Sequence, residues 1–153
     1  MSTKPIKRND LLQPYSREHH HALLLCWKIK EGFKHNIAAD RIKQYSNWFW
    51  HNHLKQHFAE EEKYLFSILP ANNPLIIQAL AEHNKIKKYF EDDKNIEPSL
   101  KSIEAELDAH IRFEERILFN AIQEAATTQQ LNLLAQLNKD SFTDNWEDKF
   151  WEK

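Results

Sequence analysis

Apolar residues recur along most of the chain at spacings of three and four, the period of an α-helix with one buried face. The first stripe reads Leu12, Tyr15, His19, Ala22, Cys26, Ile29, Phe33, on a helix predicted over about 16–33 behind Pro14. The second reads Trp50, Leu54, His57, Glu61, Leu65, Ile68. Its helix follows Asp40, a favoured N-cap type, and stops before Pro70. The third reads Ile76, Ala79 with Leu80, His83, Ile86, Phe90, on a helix that Asn73 caps and Pro74 opens. The fourth reads Leu100, Ile103, Leu107, His110, Glu114, Ile117, Ala121, with Ser99 as its cap and an end near Ala126. A shorter fifth helix is predicted near 129–137, ahead of a tail that holds Trp146, Phe150 and Trp151. The segments PANNP and DDKNIEP are the loops. Connections this short make neighbouring helices antiparallel, so the pattern predicts an all-α, up-down-up-down four-helix bundle with a short fifth helix and a C-terminal tail.

Composition agrees with long helices. One Gly and five Pro in 153 residues are too few for the turns of a β-rich domain. The length suits one domain, with the bundle over about 12–126 and the last helix and tail over 127–153. Net charge is −2 with both signs mixed along the chain, so no basic face points to nucleic acid. The single Cys26 excludes an internal disulfide and a Cys-ligated cluster. No apolar run approaches the ~20 residues that span a bilayer. The first ten residues, MSTKPIKRND, lack the apolar segment of a secretory signal. The expected location is therefore cytoplasmic, with no membrane partner.

The chemistry lies in what interrupts the stripes. Nine His are present, and four of them, with two Glu, fall on the apolar faces. Burying a carboxylate without a partner costs several kcal/mol or more, so a polar group repeated on every core face needs a shared counter-charge. Residues four apart stack on one helix face. His57 with Glu61, and His110 with Glu114, can each aim one nitrogen and one carboxylate at the same point. Single His from the first and third helices add two nitrogens. Four imidazoles and two carboxylates would serve two metal ions, both carboxylates bridging. Mixed N/O ligation with open positions suits iron, with manganese or zinc as the alternatives.

Nine His among fifteen Glu produce about one His-x3-Glu pair by chance, so a single pair carries no weight. The longer match does. HFAEEEKYLF at 57–66 and HIRFEERILF at 110–119 share His, Glu, Glu, Leu and Phe at the same offsets, and Glu18-His19 and Glu82-His83 precede them in parallel. The chain reads as two helical hairpins of one design. That parallel favours His19 over its neighbour His20.

The doubled H-x-x-x-E-E-x-x-L-F resembles the hemerythrin-like HHE cation-binding family, over about residues 12–122. The resemblance implies a four-helix bundle around a bridged di-iron centre, with ligands on His19, His57, Glu61, His83, His110 and Glu114. One departure stands out. Oxygen-carrying hemerythrins have a second His one turn after the first on the third helix, and here that position is Lys87. Two His per iron is closer to the di-iron proteins implicated in iron–sulfur cluster repair and nitric-oxide stress. Those carry an N-terminal Cys-containing segment, and residues 1–11 hold no Cys. His53, one turn before His57, is a candidate fifth nitrogen donor. Its alternatives are a supporting or a solvent-facing role.

The expected function is therefore a non-haem di-iron protein that binds or reacts with a small ligand (O2, NO or peroxide) as a sensor or stress-response protein. The alternatives are a di-iron enzyme, turning over peroxide or NO or repairing clusters, and an iron storage or sensing protein. Glu60 and Glu62 read as solvent-facing. Trp27, Trp48, Trp50, Phe58 and Phe113 read as packing, and His21, His35 and His51 as ordinary exposed residues. Trp146 and Phe150, four apart, are expected to dock the tail on the bundle or on a second subunit of a homodimer.

Overall fold

Pro14 lies in the first turn of α1 (Gln13–Lys34), where its missing N–H breaks no helical bond. The computed structural model describes residues 12–137 and 142–152, so the reading of the first ten residues lies outside them. At the end of α1 the chain reverses through Asn36, whose φ of 57° is the left-handed conformation Asn tolerates. The Ile37 amide donates back to the Gly32 carbonyl, closing the cap.

α2 spans 39–68 and α4 spans 96–125, with α3 (Pro74–Glu91) between them and α5 (Thr128–Leu137) after them. Asn73 caps α3 as expected, its Oδ1 accepting from the Leu75 amide at 2.8 Å. Two other caps differ from expectation. α2 starts on the Ala38 carbonyl, which accepts from the Arg41 and Ile42 amides, and this puts Asp40 inside the first turn, where its charge meets the helix dipole. α4 starts one turn ahead of Ser99. Asp92 organises that start: Oδ1 accepts from the Lys94 and Asn95 amides, and the buried Ser99 donates to Oδ2.

α2 and α4 are not uniform. Each holds a π-helical turn that begins on a motif glutamate, Glu61–Leu65 in α2 and Glu114–Leu118 in α4, and α2 has another at Trp50–Leu54. A π turn has more residues than an α turn, so it shifts every later side chain around the axis. This corrects the stripe on α4. After Glu114 the buried positions are Leu118, Phe119 and Ile122, while Ile117 is 51% exposed and Ala121 only half-buried.

α4 packs against α1, α2 and α3, and α1 against α2, as an antiparallel bundle with no strand among the described residues. The apolar core falls into two clusters. One holds Leu25, Ile29, Ile42, Tyr45, Phe49, Leu100, Ile103 and Leu107, and the other holds Tyr15, Leu65, Phe66, Ile76, Leu118, Phe119 and Ile122. Each stripe passes from one cluster to the other through its His or Glu, so a polar layer crosses the bundle between them.

The tail segment 142–152 lies on its own bundle. Phe150 is buried in the first cluster, against Gly32 of α1, where a Cβ would stand 3.0 Å from the Phe150 ring and 2.7 Å from Ile42. Asp144 accepts from Lys28 at 2.6 Å and from the Tyr45 hydroxyl, and Asp148 accepts both arms of Arg41. Trp48 and Trp50 pack as expected, but Trp27 is 48% exposed. His51 is exposed, whereas His21 and His35 are half-buried. Cys26 is a buried free thiol. No helix among the described residues is long and apolar enough to cross a membrane.

Candidate metal centre

The polar layer contains His19, His57, Glu61, His83, His110 and Glu114, each no more than 3% exposed. The helical period stacks His57 over Glu61 and His110 over Glu114, at Nε2–Oε2 distances of 3.1 and 3.4 Å. His19 enters from α1 and His83 from α3. His20, next to His19, faces solvent, and so does Lys87 on α3.

All four imidazoles turn Nε2 inward, and the two carboxylates divide their oxygens between them. Glu61 Oε2 is 3.3 Å from His19 Nε2 and 3.1 Å from His57 Nε2, while its Oε1 is 3.2 Å from His83 Nε2. Glu114 Oε1 is 3.0 Å from His19 Nε2, while its Oε2 is 3.8 Å from His83 Nε2 and 3.4 Å from His110 Nε2. Two half-sites result, His19 with His57 and His83 with His110, and each glutamate gives one oxygen to each. In both half-sites the donor atoms lie within 4.8 Å of one another. Donors about 2.1 Å from one ion stand roughly 3 to 4 Å apart, which is the spacing seen.

The layer does not satisfy itself. The Nε2 atoms of His57, His83 and His110, Glu61 Oε1 and both Glu114 oxygens are buried without a hydrogen-bond partner. Leaving such groups unmatched costs several kcal/mol, and a cation compensates them together. Either half-site could hold a metal ion, and the donor set fits one.

Electrostatics point the same way. Burial alone would push His57 down, but Glu61 and Glu18 outweigh it and hold it up, at about 9. Burial opposes the rise at His110 too, and Glu114 and Glu82 bring it to about 10. His19 and His83 are raised by their carboxylate neighbours against the same burial. Burial would raise Glu61, yet His57, His19 and His83 drive it well below the usual carboxylate range. The field inside the layer thus favours positive charge, whether proton or metal.

Around the layer runs a set of carboxylates to which the sequence reading gave no role at the site: Glu18 and Glu82 served as register markers, and Glu62 was read as solvent-facing. Glu18 Oε2 is 2.5 Å from His57 Nδ1, Glu82 Oε1 is 2.7 Å from His110 Nδ1, and Glu62 Oε2 is 2.8 Å from His83 Nδ1. The corresponding Glu115 stands 3.7 Å from His19 Nδ1, beyond hydrogen-bond reach, so only the first three imidazoles are held this way. A carboxylate at Nδ1 fixes the tautomer that leaves the Nε2 lone pair facing inward. Glu62, expected to face solvent alone, therefore reaches back to the site. The two halves of the chain repeat each other here: Glu18 corresponds to Glu82, Glu62 to Glu115, and the motif's last residue, Phe66 or Phe119, packs beside His83 or His19. The spacing of each Glu next to a motif residue was the available signal.

His53 is 6% exposed and lies outside both half-sites. Its ring hydrogen-bonds to the Glu18 backbone, and burial together with His57 and His21 pushes it down to about 3, so it is a neutral imidazole. Its Nε2 has no partner. Phe58, read as packing, stacks on His83 at 3.8 Å and shields that side of the layer from water.

No curated protein and no solved structure matches the chain. Among family models, the hemerythrin HHE cation-binding domain matches residues 11–122, which includes both hairpins and all six inward-facing donors. Because the match extends over most of the chain, the protein belongs to the hemerythrin HHE cation-binding family.

Proposed function

We propose that the chain holds two iron ions, ligated by His19, His57, Glu61, His83, His110 and Glu114, and acts as a redox-reactive sensor or stress-response protein toward a small ligand such as NO or peroxide. The observation that carries this is the division of Glu61 and Glu114, each presenting one oxygen to the His19–His57 side and the other to the His83–His110 side. Two carboxylates spanning two imidazole pairs are a binuclear donor set. Iron in that set supplies electron exchange with, and open positions for, small oxidants or NO.

The residues supply the rest. Two imidazoles on each side leave more positions free than three would, and Lys87 faces solvent where an oxygen carrier has its extra His. Glu18, Glu62 and Glu82 hold their imidazoles in one tautomer. Their negative charge favours the more oxidised cation by Coulomb attraction in a poorly solvated layer. Phe58, Phe66 and Phe119 pack on the imidazoles and keep bulk water away. This arrangement supports reaction over reversible O2 carriage.

The test is an anaerobic optical titration of the iron-loaded, reduced protein with NO, peroxide and O2. The expected result is a stable NO adduct or rapid oxidation by peroxide, with air oxidation that needs added reductant to reverse. Full recovery of the reduced state by argon purging alone would favour a carrier and overturn this reading.

A further inference from the structure

The six inward-facing residues are buried to at least the level of His19, His57 and His83, at 2 to 3% exposure. An ion from solvent must therefore pass through the wall of the bundle. One cavity, of about 380 Å³, reaches that wall, lined by Glu18, His53, His57 and Glu60 on the α1 and α2 side and by Phe142 and Asn145 of the tail. His57 belongs to both places: its ring lines the cavity, and its Nε2 faces the half-site it shares with His19. Glu18 also belongs to both, since it lines the cavity and holds His57 Nδ1.

The lining is a set of cation ligands. It offers two carboxylates and two imidazoles, and no Lys or Arg. His53 is the unexplained member. It is more than nine-tenths buried, it lines the cavity, and its Nε2 has no partner, although an unmatched buried nitrogen is costly. A second cavity, of about 90 Å³, touches His110 on the far side of the layer, but its rim carries the Lys85–Glu106 ion pair and offers no free imidazole. The larger cavity is also bounded by tail residues that lie beyond the family match at 11–122.

We propose that the cavity is the loading path for the centre, in which His53 and Glu60 act as transient ligands that pass a divalent metal ion from solvent to Glu18 and His57. The path rests on the reading that the six inward residues hold metal. His53 and Glu60 are not part of the final ligand set, so they govern the rate of loading and not its end point. A cleft lined with one sign of charge raises the association rate of an oppositely charged ligand by roughly tenfold or more.

The experiment mixes metal-free, full-length protein with cobalt(II) in a stopped-flow spectrometer and compares wild type with Glu60→Gln, His53→Phe and Glu106→Gln. The His53→Phe change keeps an aromatic ring of similar size, and Glu60→Gln alters a half-buried side chain, so one reports even where the other fails to fold. In support, Glu60→Gln and every folded His53 variant load about tenfold more slowly, reach two cobalt per chain and give the wild-type final spectrum, while Glu106→Gln loads at the wild-type rate. Equal rates in wild type and the cavity variants would overturn the loading path and leave the two-metal reading intact. The same holds for equal slowing in Glu106→Gln, or a changed final spectrum in the cavity variants. Wild type that takes up no cobalt would overturn both.

Discussion

Three of the four inward imidazoles, His57, His83 and His110, are governed by the outer nitrogen as much as by the inner one. His110 takes Glu82 on Nδ1 and His83 takes Glu62, so the lone pairs that face the layer are set by carboxylates on neighbouring helices. Supporting carboxylates of this kind are worth about 10- to 100-fold in metal affinity. Glu82→Gln should therefore weaken metal binding by about that factor in a chelator competition, with helical content unchanged. The raised imidazoles give a pH signature with a definite sign. His57 and His110, held at about 9 and 10 against an ordinary 6.5, are protonated in the metal-free protein at neutral pH. Metal needs them neutral, so loading below pH 9 should release protons, measurable with an indicator dye in weak buffer, and affinity should rise with pH until about 10. In the metal-free protein the linkage runs the other way. A folded-state value above the unfolded one stabilises fully below about 6.5 and is lost as pH rises through 9 to 10. Its melting temperature should fall over that window. A flat profile would mean that these imidazoles carry no proton in the fold.

At the scale of the helix, the π turns decide which residues face the core. They begin on Glu61 and Glu114, the two residues whose oxygens are divided between half-sites. Shifting the later side chains lets the glutamate face the layer while Leu65 or Leu118 continues the apolar face. Regular 3.6 periodicity selected Ile117, and the doubled motif, which aligns Leu65 with Leu118, was the better guide because both halves contain the same irregular turn. Leu118→Ala should cost about 2 to 5 kcal/mol of stability as a core truncation. Ile117→Ala should stay within roughly 0.5 kcal/mol, since it is half-exposed. Denaturant unfolding of the two variants decides the register: the reverse order would place a regular α-helix there. The caps were legible unevenly for a similar reason. Asn73 is next to the proline that fixes its role, whereas Ser99 resembles a cap locally but is buried one turn inside α4, donating to Asp92.

For the whole molecule, a polar layer crosses the bundle between two apolar clusters, and the tail closes one side. Without metal the layer has only its own imidazole protons as counter-charge, and several buried nitrogens and oxygens keep poor hydrogen-bond geometry. Chelation should lower the melting temperature, and a metal-free protein that melts with the loaded one would mean that the layer is satisfied by its own protons. The tail is held by Phe150 in the core and by Asp144 on Lys28 and Tyr45. Phe150→Ala should cost about 3 to 5 kcal/mol in denaturant unfolding. A cost under about 1 kcal/mol would mean that the tail is a loose attachment.

The sequence by itself determined the helices, their antiparallel order and the six inward residues, because each follows from local information: a hydrophobic period, few turn residues, and a motif written twice. It favoured His19 over His20 by that repetition alone, and the fold, which buries His19 and exposes His20, separates them. It could not assign Glu62 or Glu82 to an imidazole on another helix, since the spacing along one helix says nothing about what the neighbouring helix brings opposite. It could not show that Glu61 and Glu114 each divide their oxygens, or that His53 lies buried beside the centre but outside it. Those facts depend on how four helices are rotated against one another, which the period along any one helix does not give. Only the packed bundle, in which every side chain must fill space and every buried charge must meet its opposite, fixes them.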